Sequence, residues 1–116
     1  MNPISVFKNA AIQIFQLFRR NNNSRILLLR KMPKGAICAE IGVWKGDFSK
    51  LILNITSPMK LHLIDPWEYQ SNFPDRMYGG SVAKSQLDMD AIYEDVKKRF
   101  AQFDNIIFNK GKSEKI

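Results

Sequence analysis

The sequence predicts an α/β fold: a doubly wound parallel sheet truncated to about three strands, preceded by a helical arm. Three features point there. Ala36-Ile37-Cys38-Ala39-Glu40-Ile41 is a nearly continuous apolar run that enters a glycine-punctuated turn, Gly42-Val43-Trp44-Lys45-Gly46. A second apolar run, Leu61-His62-Leu63-Ile64, ends on Asp65, nineteen residues after Gly46. Helix-spaced segments alternate with these runs, and strand–helix–strand order implies parallel strands joined by right-handed crossovers.

The elements follow in order. Pro3 to Phe18 has helical periodicity, with Ile4, Phe7, Ala11, Ile14, Phe15 and Phe18 on one stripe. Asn21-Asn22-Asn23 stops it, and Ser24 caps a short second helix over Arg25 to Lys31 that Pro33 and Gly35 end. The run Ala36 to Ile41 is apolar enough for a strand covered on both faces. Lys45 to Ile55 is the next helix, with Phe48, Leu51, Ile52 and Ile55 on one face. Leu61 to Ile64 is the second strand. Residues 66–86, rich in Pro, Gly, Ser, Asn and aromatics, read as a long functional loop. Asp88 to Phe103 is a helix with Met89, Ile92, Tyr93, Val96 and Phe100 on one face, and with Glu94–Lys98 and Asp95–Arg99 as i,i+4 pairs. Asn105 to Phe108 is the third strand, and Gly111-Lys112-Ser113-Glu114 is a turn opening another helix.

Charge divides the chain at the same place. Residues 1–35 carry Lys8, Arg19, Arg20, Arg25, Arg30, Lys31 and Lys34 and no acid, while residues 36–116 carry eleven bases and eleven acids. Of the net charge of +7, the arm, residues 1–32, therefore holds +6, and the domain of residues 33–116 is nearly neutral. This argues against a nucleic-acid partner for the whole domain. The basic amphipathic stretch 3–20 suits packing on the main domain, an anionic membrane surface, or a partner protein. The single cysteine, Cys38, excludes an internal disulfide framework and fits a reducing, cytoplasmic compartment. No apolar run reaches the roughly 18 residues of a membrane span, and no signal peptide is legible. No His/Cys/acid cluster has metal-ligand spacing, and His62, the only histidine, sits mid-strand, where a structural role is expected.

Strand, tight turn, helix, strand, acid is how a nucleotide-type cofactor is held at the carboxyl edge of a parallel sheet. The dinucleotide fingerprint would need glycines at positions 44 and 47, where the chain has Trp44 and Asp47. Glu40 and Asp47 also oppose a pyrophosphate, and no Gly-x-x-x-x-Gly-Lys loop is present. A nucleoside without phosphates fits better, and S-adenosyl-L-methionine offers one, with a cationic amino group and sulfonium, a carboxylate, a ribose and an adenine. In that reading Glu40 favours the cationic end. Gly42 lets the chain turn, and the first backbone N–H groups of the helix, with Ser49, suit the carboxylate. Asp65 accepts the ribose hydroxyls, while Trp67 or Trp44 gives an apolar wall. The turn at Lys112 and Ser113 lies where the adenine edge would be read. Asp65 alone does not separate this cofactor from NAD.

Glu40-Ile41-Gly42-Val43-Trp44-Lys45-Gly46-Asp47-Phe48-Ser49 resembles the first motif of class I S-adenosylmethionine-dependent methyltransferases, in the variant lacking the middle glycine found among sugar and small-molecule O-methyltransferases. Leu63-Ile64-Asp65-Pro66-Trp67 resembles their second, ribose-binding motif, and Phe108-Asn109-Lys110-Gly111-Lys112-Ser113 the strand and turn that follow. Tyr78-Gly79-Gly80 and Met89-Asp90-Ala91-Ile92-Tyr93 resemble the same branch. The resemblance spans roughly residues 33–116. It implies a Rossmann-like domain, S-adenosyl-L-methionine as cofactor, a small-molecule or sugar acceptor, and contacts from Glu40, Gly42, Val43, Trp44, Gly46, Ser49, Asp65, Trp67, Lys112 and Ser113. That family's sheet has about seven strands, and its methyl-facing residues, base and any metal ligands come after the third, so no catalytic residue or metal ligand is assigned. A first strand with an open edge predicts self-association or pairing with a missing C-terminal half. The alternatives are a non-catalytic nucleotide-binding remnant and an NAD-type domain.

Overall fold

The structure is a computed structural model that describes residues 23–115. The helix expected over Pro3 to Phe18, and the stretch 3–20, lie outside the described residues. The chain divides into two units, Met1–Pro33 and Lys34–Ile116. In the first, residues 23–31 are helical, in agreement with the short helix expected there.

The second unit is built on three parallel strands, β1 (Ile37–Ile41), β2 (Lys60–Asp65) and β3 (Ile106–Lys110), in the spatial order β1-β2-β3. Ile37 pairs with Lys60 and Ile41 with Ile64, while Leu61 pairs with Ile106 and Asp65 with Lys110. The carboxyl ends of all three strands therefore lie side by side, which is where an open α/β sheet binds its ligand. Helix α1 (Asp47–Thr56) joins β1 to β2, and helix α2 (Gln86–Arg99) lies between β2 and β3.

Two right-handed crossovers taken in the same direction put both helices on one face of the sheet. Burial follows that rule. Cys38, Glu40, Leu61 and Leu63 alternate along the strands and are buried, the two leucines completely. Each such leucine contributes about 1.5–3 kcal/mol on leaving water. The register sets Ile37, Ala39, Ile41, His62, Ile64, Ile107 and Asn109 on the other face. Ile37 and Ile41 are 62% and 68% exposed there. The expectation that β1 is covered on both faces is thus corrected, because an apolar run does not reveal on which side its crossovers pass. His62 lies on this face, with Nδ1 3.5 Å from the Asn109 amide nitrogen.

Helix α1 buries Ser49, Ile52, Leu53 and Thr56, a stripe turned by one residue from the expected Phe48, Leu51, Ile52 and Ile55. The cause is polar. The Ser49 hydroxyl donates to Glu40, and the Thr56 hydroxyl donates to the Ile52 carbonyl at 2.7 Å, so both side chains enter the core with partners. The helix ends at Ser57, in the left-handed region, whose N–H bonds the Leu53 carbonyl. The Gly35 N–H bonds the Thr56 and Ser57 carbonyls.

Helix α2 starts two residues earlier than expected, capped by Ser85, whose hydroxyl accepts from the Asp88 N–H at 3.2 Å. Met89, Val96 and Phe100 are buried on its inner face. The expected i,i+4 ion pairs are replaced: Lys97 bonds Glu94 at 2.9 Å, and Arg99 reaches Asp47 at 2.7 Å and the Lys45 carbonyl at 3.0 Å. Residues 66–86 are not irregular throughout. Met77–Ser81 forms a wide helical turn, closed by the Val82 and Ala83 N–H groups on the Met77 carbonyl. The expected helix after Gly111 is a single turn, Ser113–Lys115.

Candidate functional site

The site begins where β1 ends. The Gly42 N–H donates to the Ile64 carbonyl at 2.9 Å, extending the ladder one residue past the strand. Gly42 then takes φ +86°, and nothing lies within 4 Å of where a β-carbon would stand, so its face opens on free space. Trp44 follows in the left-handed region at φ 59°. Gly46 closes the turn at φ +86°, and a β-carbon there would stand 2.8 Å from the Phe100 ring. That contact lets the start of α1 sit directly on the end of α2, and the Arg99–Asp47 pair fastens it from outside.

Asp65 holds this turn from the end of β2. One carboxylate oxygen accepts from the Val43 and Trp44 N–H groups at 2.8 and 3.0 Å. The other accepts from the Trp67 N–H at 2.7 Å. Consecutive N–H groups converging on one oxygen form the kind of nest that binds a phosphate or carboxylate. Here the anion is the chain's own side chain.

Trp67 completes the brace. Its indole N–H donates to the Trp44 carbonyl at 2.9 Å, and its ring lies on Tyr93, with centroids 4.6 Å apart. Tyr93 in turn meets the edge of Phe108. Trp67 is fully buried. The expectation that it forms a wall for the ligand is corrected: its position two residues after Asp65 turns it inward, and Trp44 is the tryptophan that faces the cavity.

Glu40 and Ser49 lie beneath the turn, hydrogen-bonded to one another and 8% and 0% exposed. Ser49 therefore serves Glu40 and not a ligand carboxylate, and neither residue lines a described cavity. Glu40 thus places a buried acidic group below the turn.

In front of the turn is a cavity of about 320 Å³, within the range of small-ligand sites. Gly42, Trp44 and Asp65 form its inner side. Pro66, Glu68 and Gln70 come from the segment after β2, Met77 and Tyr78 from the wide turn, and Met89 from α2. The lining is mainly apolar. The segment after β2 is fixed by Gln86, which accepts from the Tyr69 N–H at 2.9 Å and donates to the Trp67 carbonyl at 3.1 Å. Two further hollows adjoin it: one lined by residues 68–73 and Lys112, the other by Pro66, Glu68, Gln86, Lys110, Gly111 and Lys112.

The residues expected at the site therefore separate into groups. Gly42, Trp44 and Asp65 meet at the cavity. Val43, Gly46, Glu40, Ser49 and Trp67 support it from behind. Lys112 lies at the adjoining hollows, and Ser113 lines none of the described ones. Of the polar loop residues, Tyr78 faces the cavity and receives a 2.9 Å hydrogen bond from Arg76, while Asp75 does not line it. Glu68, Gln70, Met77 and Met89 were not legible as site residues. Met89 carried only the signal of a core position on a helix, and the others depend on the path of the loop.

Among the described residues no group of three or more His, Cys, Asp or Glu side chains could hold a metal ion. No described helix is long and apolar enough to cross a membrane. No family model, curated protein or solved structure matches the chain.

Proposed function

We propose that this chain is the cofactor-binding portion of an S-adenosyl-L-methionine-dependent methyltransferase that methylates a small-molecule or sugar acceptor at oxygen. The reading rests on the resemblance of the motifs from Glu40 to Ser49 and from Leu63 to Trp67, and one observation carries it further. The nest at the turn, a place suited to an anion, is filled by the carboxylate of Asp65. A second anion brought there would meet that charge at close range and would find both N–H groups engaged. The cavity beside it thus suits a nucleoside free of phosphates.

The fit to the cofactor is good on other grounds. Gly42 presents open backbone, Trp44, Pro66, Met77 and Met89 offer apolar surface to an adenine or methionine chain, and Glu68 is an acid at the rim. When bound, S-adenosyl-L-methionine supplies an electrophilic methyl group on a sulfonium. The protein's share is to hold the nucleoside, align it and exclude water.

Calorimetric titration with S-adenosylhomocysteine tests the reading, with NADH titrated alongside. Binding of S-adenosylhomocysteine at micromolar concentration, and none of NADH, is the expected result. Preference for NADH would overturn it and favour a dinucleotide domain.

A further inference from the structure

Two carboxylates stand at the end of β2, and the structure gives them different work. Asp65 has its oxygens committed: three backbone N–H groups converge on them at 2.7 to 3.0 Å. A carboxylate offers about four lone-pair sites, so at most one remains. Glu68 lies one turn of chain further on. It is exposed, and makes no hydrogen bond or ion pair with any described residue. It lines the cavity in front of the turn and both adjoining hollows, so it stands where the three meet.

Resting on the cofactor reading above, we propose that Glu68, and not Asp65, is the acid that binds the ribose hydroxyls of the nucleoside. A cis-diol presents two donors about one carboxylate width apart, and a carboxylate with both oxygens available accepts both. Asp65 is then a positioning residue. It acts on the ligand only through the turn from Gly42 to Gly46, whose shape it maintains. The segment carrying Glu68 is set by the Gln86 side chain on both sides of it, through the Trp67 carbonyl and the Tyr69 N–H. The carboxylate is therefore delivered from a fixed backbone, with only its own side chain left to order on binding.

The test compares S-adenosylhomocysteine with its 2′-deoxy analogue by calorimetry, on the unaltered chain and on Glu68→Ala. The unaltered chain should prefer the ribose form by roughly tenfold or more, the worth of a charge-assisted hydrogen bond. Glu68→Ala should keep its melting temperature, since it removes an exposed side chain without a partner, and should lose that preference to within about twofold. Glu68→Gln, which retains one acceptor oxygen, should fall between. A Glu68→Ala variant that still prefers the ribose form tenfold overturns the assignment, as does an unaltered chain that binds both forms equally. An unaltered chain that binds neither removes the cofactor reading itself and the assignment with it. Those results are told apart without reference to any variant.

Discussion

Replacing Asp65 with alanine leaves the Val43, Trp44 and Trp67 N–H groups without their acceptor. A buried donor stripped of its partner costs about 1–3 kcal/mol. Asp65 is half-buried at the cavity's inner side, where water reaches part of the turn, so the low end applies. Three donors at about 1 kcal/mol each give a loss of roughly 3 kcal/mol. For a domain of this size, with a total stability of about 5–10 kcal/mol, that is a large share. Asp65→Asn keeps one acceptor oxygen but sets an amide NH₂ against a facing N–H, so it should lose about 1–2 kcal/mol. Urea unfolding reads both. With a slope near 1–1.5 kcal/mol/M, Asp65→Ala should lower the midpoint by about 2–3 M at unchanged slope. Of the chain's two tryptophans, Trp44 lies in this turn and Trp67 donates to its carbonyl, so their fluorescence reports the turn. An Asp65→Ala midpoint within about 0.4 M of the unaltered chain would refute the bracing role, because a loss below 0.5 kcal/mol is that of an ordinary surface substitution.

Four other outcomes can be checked. Gly46→Ala adds a β-carbon against Phe100 on top of a left-handed backbone and should cost about 2–4 kcal/mol, while Gly42→Ala, with the same φ and open space, should cost only about 1–2 kcal/mol by the same unfolding measurement. Leu63→Ala, on the covered face, should cost about 2–5 kcal/mol, and Ile41→Lys, on the exposed face, less than about 0.5 kcal/mol. Equal losses would contradict the one-sided packing of the sheet. Arg99→Ala should cost under about 1 kcal/mol, falling further in 1 M salt, since its partner Asp47 is exposed. Phosphate at millimolar concentration should raise the melting temperature of Asp65→Ala by roughly 4–8 °C for each kcal/mol recovered, and leave the unaltered chain unmoved. An equal rise in both proteins would mean that the nest is not what phosphate binds.

The strands and both helices were legible from the sequence because apolar runs and helical spacing report burial directly. What failed to read across was polar or distant. The inner stripe of α1 is displaced from its apolar pattern because Ser49 and Thr56 carry hydrogen-bond partners into the core, and a periodicity count scores them as surface. Arg99 was paired with Asp95 by spacing, whereas its partner Asp47 comes from another helix and meets it only when α1 and α2 pack. Trp67 looked like a ligand wall because it follows the acid, but the hydrogen bond from its N–H to Asp65 gives it a left-handed backbone and sends its ring onto Tyr93. Glu68 carried no signal, since its place depends on how Gln86 fixes the loop through the Tyr69 N–H and the Trp67 carbonyl, seventeen and nineteen residues away along the chain.

The same order of strand, turn, helix, strand and acid serves ligands with and without phosphate, and the difference lies in where the acid's oxygens go. If the acid faced the ligand, the nest at the turn would remain open to an anion. Because Asp65 turns its oxygens back to Val43 and Trp44, the nest carries its own negative charge where an outside anion would otherwise be held. That charge biases the surroundings toward neutral and cationic groups. An acid committed to the backbone in this way cannot also embrace a diol, so in the proposed cofactor site a ribose would be met by another residue. Glu68, at the junction of three hollows and without a partner among the described residues, is the carboxylate the fold leaves available for that task.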